Sequence, residues 1–148
     1  MKCIIQRVQY ASVVVDEVEI ASIKHGILAF VGYSVKDTSK VNSWLAEKLI
    51  GFRIFSDSSG KMNLSVKDIK GDILIVSNFT LCAQTSKGLR PGFTDAKLPE
   101  QASQLFIELY HLLKQYDIPV STGQFGADMK ISLLNDGPVT FILEQNSY

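Results

Sequence analysis

Asp72-Ile73-Leu74-Ile75-Val76-Ser77-Asn78-Phe79 decides how this chain folds. Four apolar residues in succession, three of them β-branched, predict a buried central strand. Its exit is polar and aromatic: Ser77, Asn78, Phe79 and Thr80 stand where the strand leaves the core, followed by Leu81. A second segment far along the chain, Asn135-Asp136-Gly137-Pro138-Val139-Thr140, reads as a turn signal that opens the last strand. A Gly-Pro step needs special backbone geometry and bares main-chain atoms, because glycine has no side chain. Together the two segments point to a site made of backbone groups and hydroxyls rather than of acids, bases or metals.

Outward from the central strand the pattern alternates. Lys2 to Gln9, Ser12 to Asp16, Val18 to Ile23 and Gly26 to Gly32 are rich in Val and Ile and predict strands. Val41, Trp44, Leu45, Lys48 and Leu49 recur at helical spacing, with Asp37, Thr38 or Ser39 available as a cap and an end near Gly51. Phe52 to Phe55 and Met62 to Val66 predict two strands joined by the turn Asp57-Ser58-Ser59-Gly60. Ala83 to Lys97 is a long aperiodic loop. Pro99 opens a second helix with the stripe Ala102, Leu105, Phe106, Leu109, Leu112, Leu113 and Tyr116, stopped by Asp117 to Pro119. Val120 to Gln124, Asp128 to Leu134 and Val139 to Gln145 are strands again. Helices set among runs of strands make this an α+β chain, and residues 1–148 read as a single domain.

Charge and cysteine usage exclude several functions. Fifteen basic residues balance fifteen acidic ones, which argues against wrapping a long duplex but not against gripping one end of an RNA. Lys87, Arg90 and Lys97 could do so, or could be solvated loop charges. Cys3 and Cys82 form no CxxC spacing or disulfide framework, which fits a reducing cytoplasm. Cys82 reads as a small hydrophobe rather than a nucleophile. No apolar window reaches membrane-span length and the start lacks a signal-peptide core. The two histidines, His25 and His111, form neither HxH nor HExxH, so a metal site has little support and no cofactor is expected. There is no GxSxG elbow and no phosphate loop. Thr80 and Ser77 are hydroxyl candidates without a base in the sequence to activate them; the alternative is that they satisfy backbone groups at a strand end.

Further strings run in order along the chain: Gln6-Arg7-Val8, Arg53-Ile54-Phe55, Gly60-Lys61-Met62-Asn63, Lys87-Gly88-Leu89-Arg90-Pro91-Gly92-Phe93 and Thr122-Gly123-Gln124-Phe125-Gly126-Ala127-Asp128-Met129. With the two segments above, they make the chain resemble the D-aminoacyl-tRNA deacylase family from end to end. The resemblance implies mixed β-sheets in a barrel-like layer with two α-helices packed outside, assembled as a homodimer. It implies hydrolysis of the ester of D-aminoacyl-tRNA, and of mischarged glycyl-tRNA, as proofreading in translation. Thr80, Phe79, Ser77 and Asn78 then form the catalytic segment. Gly137 and Pro138, in the cis form, would reject L-residues from the partner subunit's pocket, and Arg7 would hold them by hydrogen bonds to carbonyl oxygens. Phe125 and Met129 would line the pocket, plain core packing being as good a reading, and Lys87 and Arg90 would meet the RNA 3′ end. Three positions depart from the family pattern: Asn78 stands for Gln, Leu89 for Asn and Gly92 for Ser.

An activated ester needs less than the ~8–23 kcal/mol of barrier lowering typical of enzymes. Orientation can supply about 7–11 kcal/mol, and each oxyanion donor about 2.7–4 kcal/mol. Backbone N–H groups near Phe79 and Thr80, a held water and the substrate's ribose 2′-hydroxyl could therefore suffice. The rival readings are an RNA-end or amino-acid binding module without turnover, and a related deacylase class with a trans Gly-Pro that tolerates some L-substrates.

Overall fold

The run Ile73–Val76 is the middle of a sheet in the computed structural model, which describes residues 1–145. The elements are β1 (Lys2–Val15), β2 (Val18–Ile23), β3 (Gly26–Gly32), α1 (Lys40–Gly51), β4 (Phe55–Ser56), β5 (Met62–Leu64) and β6 (Asp72–Ser77). A 3₁₀ turn (Phe79–Cys82), α2 (Pro99–Leu113), β7 (Val120–Thr122) and β8 (Lys130–Glu144) complete the order. Strands run β2-β1-β3-β6-β7, with β8 on the other side of β1, and β4-β5 form a separate hairpin. β3, β6 and β7 are parallel, whereas β1 pairs antiparallel with β2, β3 and β8. The mixed sheet curls into a nearly closed, barrel-like layer with the two helices outside, as expected.

The curl gives the central strands two buried faces, which is why their sequence shows no polar alternation. Ile73 and Ile75, with Ile27 and Ala29 of β3, face Leu45 and Leu49 of α1 and Phe106, Leu109 and Leu113 of α2. Leu74 and Val76 face inward with Val8, Val13, Ile23 and Leu28. Ile73, Leu74 and Ile75 are fully buried. A polar tie locks the helices together: Tyr33 Oη donates to Asn42 Oδ1 at 2.7 Å, and Asn42 Nδ2 donates to the Leu105 carbonyl at 2.8 Å. Burial pushes the Tyr33 hydroxyl pKa far up.

Several boundaries differ from expectation. Lys2–Gln9 and Ser12–Asp16 are one strand; the ladder to β8 slips between Val8 and Tyr10, so a bulge, not a break, absorbs the polar interruption. Asp128–Leu134 and Val139–Gln145 likewise form the single strand β8, and Asn135-Asp136 is not a hairpin turn. Phe52 caps the C-terminus of α1 by donating its N–H to the Lys48 carbonyl, so β4 begins only at Phe55. β5 stops at Leu64, β6 at Ser77 and β7 at Thr122. The helix after Pro99 ends at Leu113, which leaves Tyr116 beyond it. Ser39 is the N-cap of α1 but makes no side-chain cap bond. The Asp37 carboxylate goes elsewhere: it is buried 2.7 Å from the Met1 ammonium and accepts the Ser34 N–H. Lys48, expected on the apolar stripe, instead lies over the Trp44 and Phe52 rings. The aperiodic loop has a tied base, with Gln84 and Gly92 exchanging backbone bonds of 2.7 and 3.0 Å.

Candidate functional site

β6 delivers the first cluster. Ser77, its last residue, is half-buried opposite Val31. Asn78 donates its N–H to the Val31 carbonyl at 2.8 Å, which carries the ladder one residue further and fixes where the 3₁₀ turn starts. A helical turn leaves its first amides without internal acceptors. The Phe79 and Thr80 N–H groups accordingly have no hydrogen-bond partner among the described residues. The Thr80 hydroxyl donates to Asn78 Oδ1 at 2.5 Å. Phe79 is 58% exposed, an unusual position for a phenyl ring, and its edge meets Phe93 of the long loop with centroids 5.0 Å apart. Cys82 closes the turn; burial raises its thiol pKa, so it is not a poised thiolate.

The second cluster grows from β1 and β8. Val8 pairs with Asn135 and Gln6 with Thr140, so four residues, 136–139, stand against Arg7 alone. They bulge out of the ladder. The Gly137–Pro138 peptide is cis, and Gly137 has φ +144°, a backbone conformation that L side chains rarely adopt. Arg7 is buried; its Nε donates to the Asp136 carbonyl at 3.0 Å and its Nη1 to the Ile54 carbonyl at 2.8 Å. The carbonyl it takes is therefore Asp136's, one residue before Gly137. Its Nε also lies 3.4 Å from Asp136 Oδ2, and His25 Nε2 lies 3.8 Å from the same oxygen. Asn135 binds the bulge from below with three hydrogen bonds. From sequence Asn135 reads only as a turn former and His25 only as a histidine outside any metal motif. An amide side chain next to Asp-Gly-Pro was the one available signal.

The two clusters are not brought together within this chain. The ladders align Arg7 with Ile27 and Ile73, but Cys3 with Val31 and Ser77. The bulge and the 3₁₀ turn thus sit at opposite ends of β6. Followed along the curled sheet, they lie four residues apart, about 13 Å of strand, and three inter-strand steps apart.

The remaining candidates divide. Phe125 is half-buried in the helix-side core, with its ring 6.1 Å from Phe106. Met129 packs into the inner core, its sulfur so close to Gly123 that a Cβ there would meet it at 2.7 Å. These two therefore lie in different cores. Lys87 and Arg90 are exposed on the loop, but Lys97 is tied by its ammonium to the Val35 carbonyl at 2.9 Å. Among the described residues, no group of three His, Cys, Asp or Glu side chains could hold a metal ion. No helix of the described residues is long and apolar enough to cross a membrane.

A nearly closed mixed barrel with two outer helices is the fold of the D-aminoacyl-tRNA deacylases. A solved structure described as a probable eukaryotic D-amino acid tRNA deacylase shares it at TM-score 0.83 and 15% identity, covering 96% of this chain and 97% of that one. The family model of D-Tyr-tRNA(Tyr) deacylase matches residues 4–144, and the chain belongs to that family. A D-aminoacyl-tRNA deacylase of Geotalea uraniireducens is 52% identical over 97% of this chain and 93% of its own length. One of Saccharophagus degradans is 50% identical over 97% and 99%. A solved structure described as c-Myc DNA unwinding element binding protein is 40% identical with TM-score 0.92, covering 99% of this chain and all of that one. Membership makes the chain a hydrolase of D-aminoacyl-tRNA in translation proofreading.

Proposed function

We propose that the chain judges the handedness of the aminoacyl group with main-chain atoms and cleaves the ester by positioning, as a cytoplasmic homodimer. The observation that carries this is the register: in one chain the hydroxyl turn and the Gly137–Pro138 bulge lie four residues apart along the ladder and three strands apart. A second copy brings them together if its bulge enters this chain's site. The Asp136–Pro138 tip is held by Arg7, and Gly137 and Pro138 are exposed, as a projecting wedge requires. Its rigid carbonyls crowd the side-chain direction of an L-residue and leave that of a D-residue, or of glycine, open. This is rejection by steric clash, so D-aminoacyl and mischarged glycyl esters both pass.

The chemistry falls to the free amides of Phe79 and Thr80, which stabilise charge on the ester carbonyl oxygen. A held water attacks, and the substrate's ribose 2′-hydroxyl assists. The exposed Phe79 and Phe93 rings and the loop cations Lys87 and Arg90 serve the RNA 3′ end. Asn78 acts by accepting from the Thr80 hydroxyl, which keeps that oxygen aimed. Phe125 and Met129 shape the pocket from behind, through packing. Residues 1–148 act as one domain.

Release of amino acid from D-tyrosyl-tRNA and L-tyrosyl-tRNA tests the proposal, together with Pro138→Ala. Wild-type release of the D-residue alone, with a relaxed D/L ratio in the variant, is expected. Equal release of both by the wild type would refute chiral rejection. Release of neither would point to a binding module.

A further inference from the structure

We infer that Asn135 is a positioning residue for handedness selection, acting as the clasp that closes the base of the Gly-Pro bulge. The bulge sets four residues of β8 opposite one of β1, three more than a regular ladder holds, and such an excursion costs ladder bonds on both strands. Asn135 replaces them with a single side chain. Its Nδ2 donates to the Arg7 carbonyl at 3.1 Å and to the Val139 carbonyl at 2.9 Å. Its Oδ1 accepts the Val139 N–H at 3.2 Å. Both donors and the acceptor of one amide are used at once, and they join the last residue before the excursion to its far end and to the facing strand. Val139 is buried beneath this clasp, whereas Gly137 and Pro138 are exposed above it. Arg7 holds the tip from one side through the Asp136 carbonyl, so the tip is pinned at its first residue and at its base. These bonds lie within the bulge and between it and β1, and neither Asn135 nor Val139 belongs to either core cluster.

The inference rests on the reading that Gly137–Pro138 judges handedness, and the experiment separates the two. Asn135→Ala removes all three bonds, and Asn135→Asp keeps only the acceptor for the Val139 N–H. Loss of one neutral hydrogen bond shifts an equilibrium by about two- to tenfold. Two quantities are read for each variant and for Pro138→Ala: the D/L ratio of kcat/KM on tyrosyl-tRNA, and the exchange rate of the Val139 amide by NMR. Asn135→Ala is expected to lower the D/L ratio about tenfold and to speed Val139 exchange about tenfold, with Asn135→Asp at least as large, because a carboxylate oxygen would face the Arg7 and Val139 carbonyls. A wild-type D/L ratio alongside accelerated exchange would overturn the inference, because the clasp would then be structural only. If Pro138→Ala itself keeps the wild-type ratio, the underlying reading fails, and the inference with it. Should Asn135→Ala not fold, Asn135→Asp carries the same comparison, and an unchanged ratio there with faster exchange is equally adverse.

Discussion

Replacing Arg7 with methionine tests the site's anchoring most directly. Methionine keeps an unbranched stem in the same space and removes only the guanidinium. Two charge-assisted bonds are lost, each worth about 1.5–3 kcal/mol. The one to the Ile54 carbonyl sits at the upper end of that range, because Ile54 is 1% exposed and water cannot replace the donor. The one to the Asp136 carbonyl sits at the lower end, since the neighbouring carboxylate is 31% exposed and the tip can rehydrate. The ion pair with that half-screened carboxylate adds less than about 1 kcal/mol. The sum is a loss of about 4–5 kcal/mol, read as a fall in the urea midpoint at constant m. Arg7→Lys can serve one carbonyl but not both, and recovers about half. Selectivity should suffer in parallel, with L-tyrosyl-tRNA turnover rising relative to the D-substrate. A methionine variant within about 1 kcal/mol of wild type, or one equal to lysine, would refute the two-carbonyl bridge.

Thr80→Ala should retain more than about a tenth of the wild-type kcat, because the donors invoked are main-chain amides; loss of about 10³-fold or more in a single-turnover assay would make the hydroxyl the nucleophile. Gly26→Ala should fail to reach native stability, since a Cβ there would lie 1.9 Å from the Asp72 carbonyl oxygen in a paired strand; a thermal midpoint near wild type would contradict the close approach. Burial raises the thiol pKa of Cys3 and of Cys82 above the ordinary 9.0. The folded chain therefore keeps protons that the unfolded chain releases, so stability is whole below about pH 9 and falls above it. Urea titrations at pH 8 and pH 10 check this, and Cys3→Ala should flatten the slope. A stability that rose with pH across that window would reverse the sign.

The core was legible because its physics is local. Ile73–Val76 has no polar alternation, and the strand it predicted is buried on both faces. Proline at the head of α2 and the spacing of Ala102, Phe106, Leu109 and Leu113 gave the second helix to within a few residues. The misreadings fall where non-local pairing overrules local chemistry. Tyr10-Ala11 and Asn135-Asp136 look like interruptions, yet β1 and β8 each continue through them because the partner strand tolerates a bulge. Asp37 looks like a helix cap, but a buried ammonium is a stronger claimant for its charge. In the candidate site, the cis Gly-Pro step and its tie to Arg7 are what the resemblance implies, and the structure shows both. The bonds of Asn135 could not be read from sequence, because one partner, Arg7, lies 128 residues away and the two bonds to Val139, four residues on, exist only once the bulge is set.

The register that keeps the bulge and the hydroxyl turn apart has a genetic corollary. In the proposed homodimer, a chain carrying Pro138→Ala would lose selectivity in a pure pair, and one damaged at Phe79 and Thr80 would lose turnover. Co-expressed, they would form mixed pairs in which one of the two pockets receives an undamaged wedge and an undamaged turn. Two defective alleles would then restore part of the proofreading that neither provides alone.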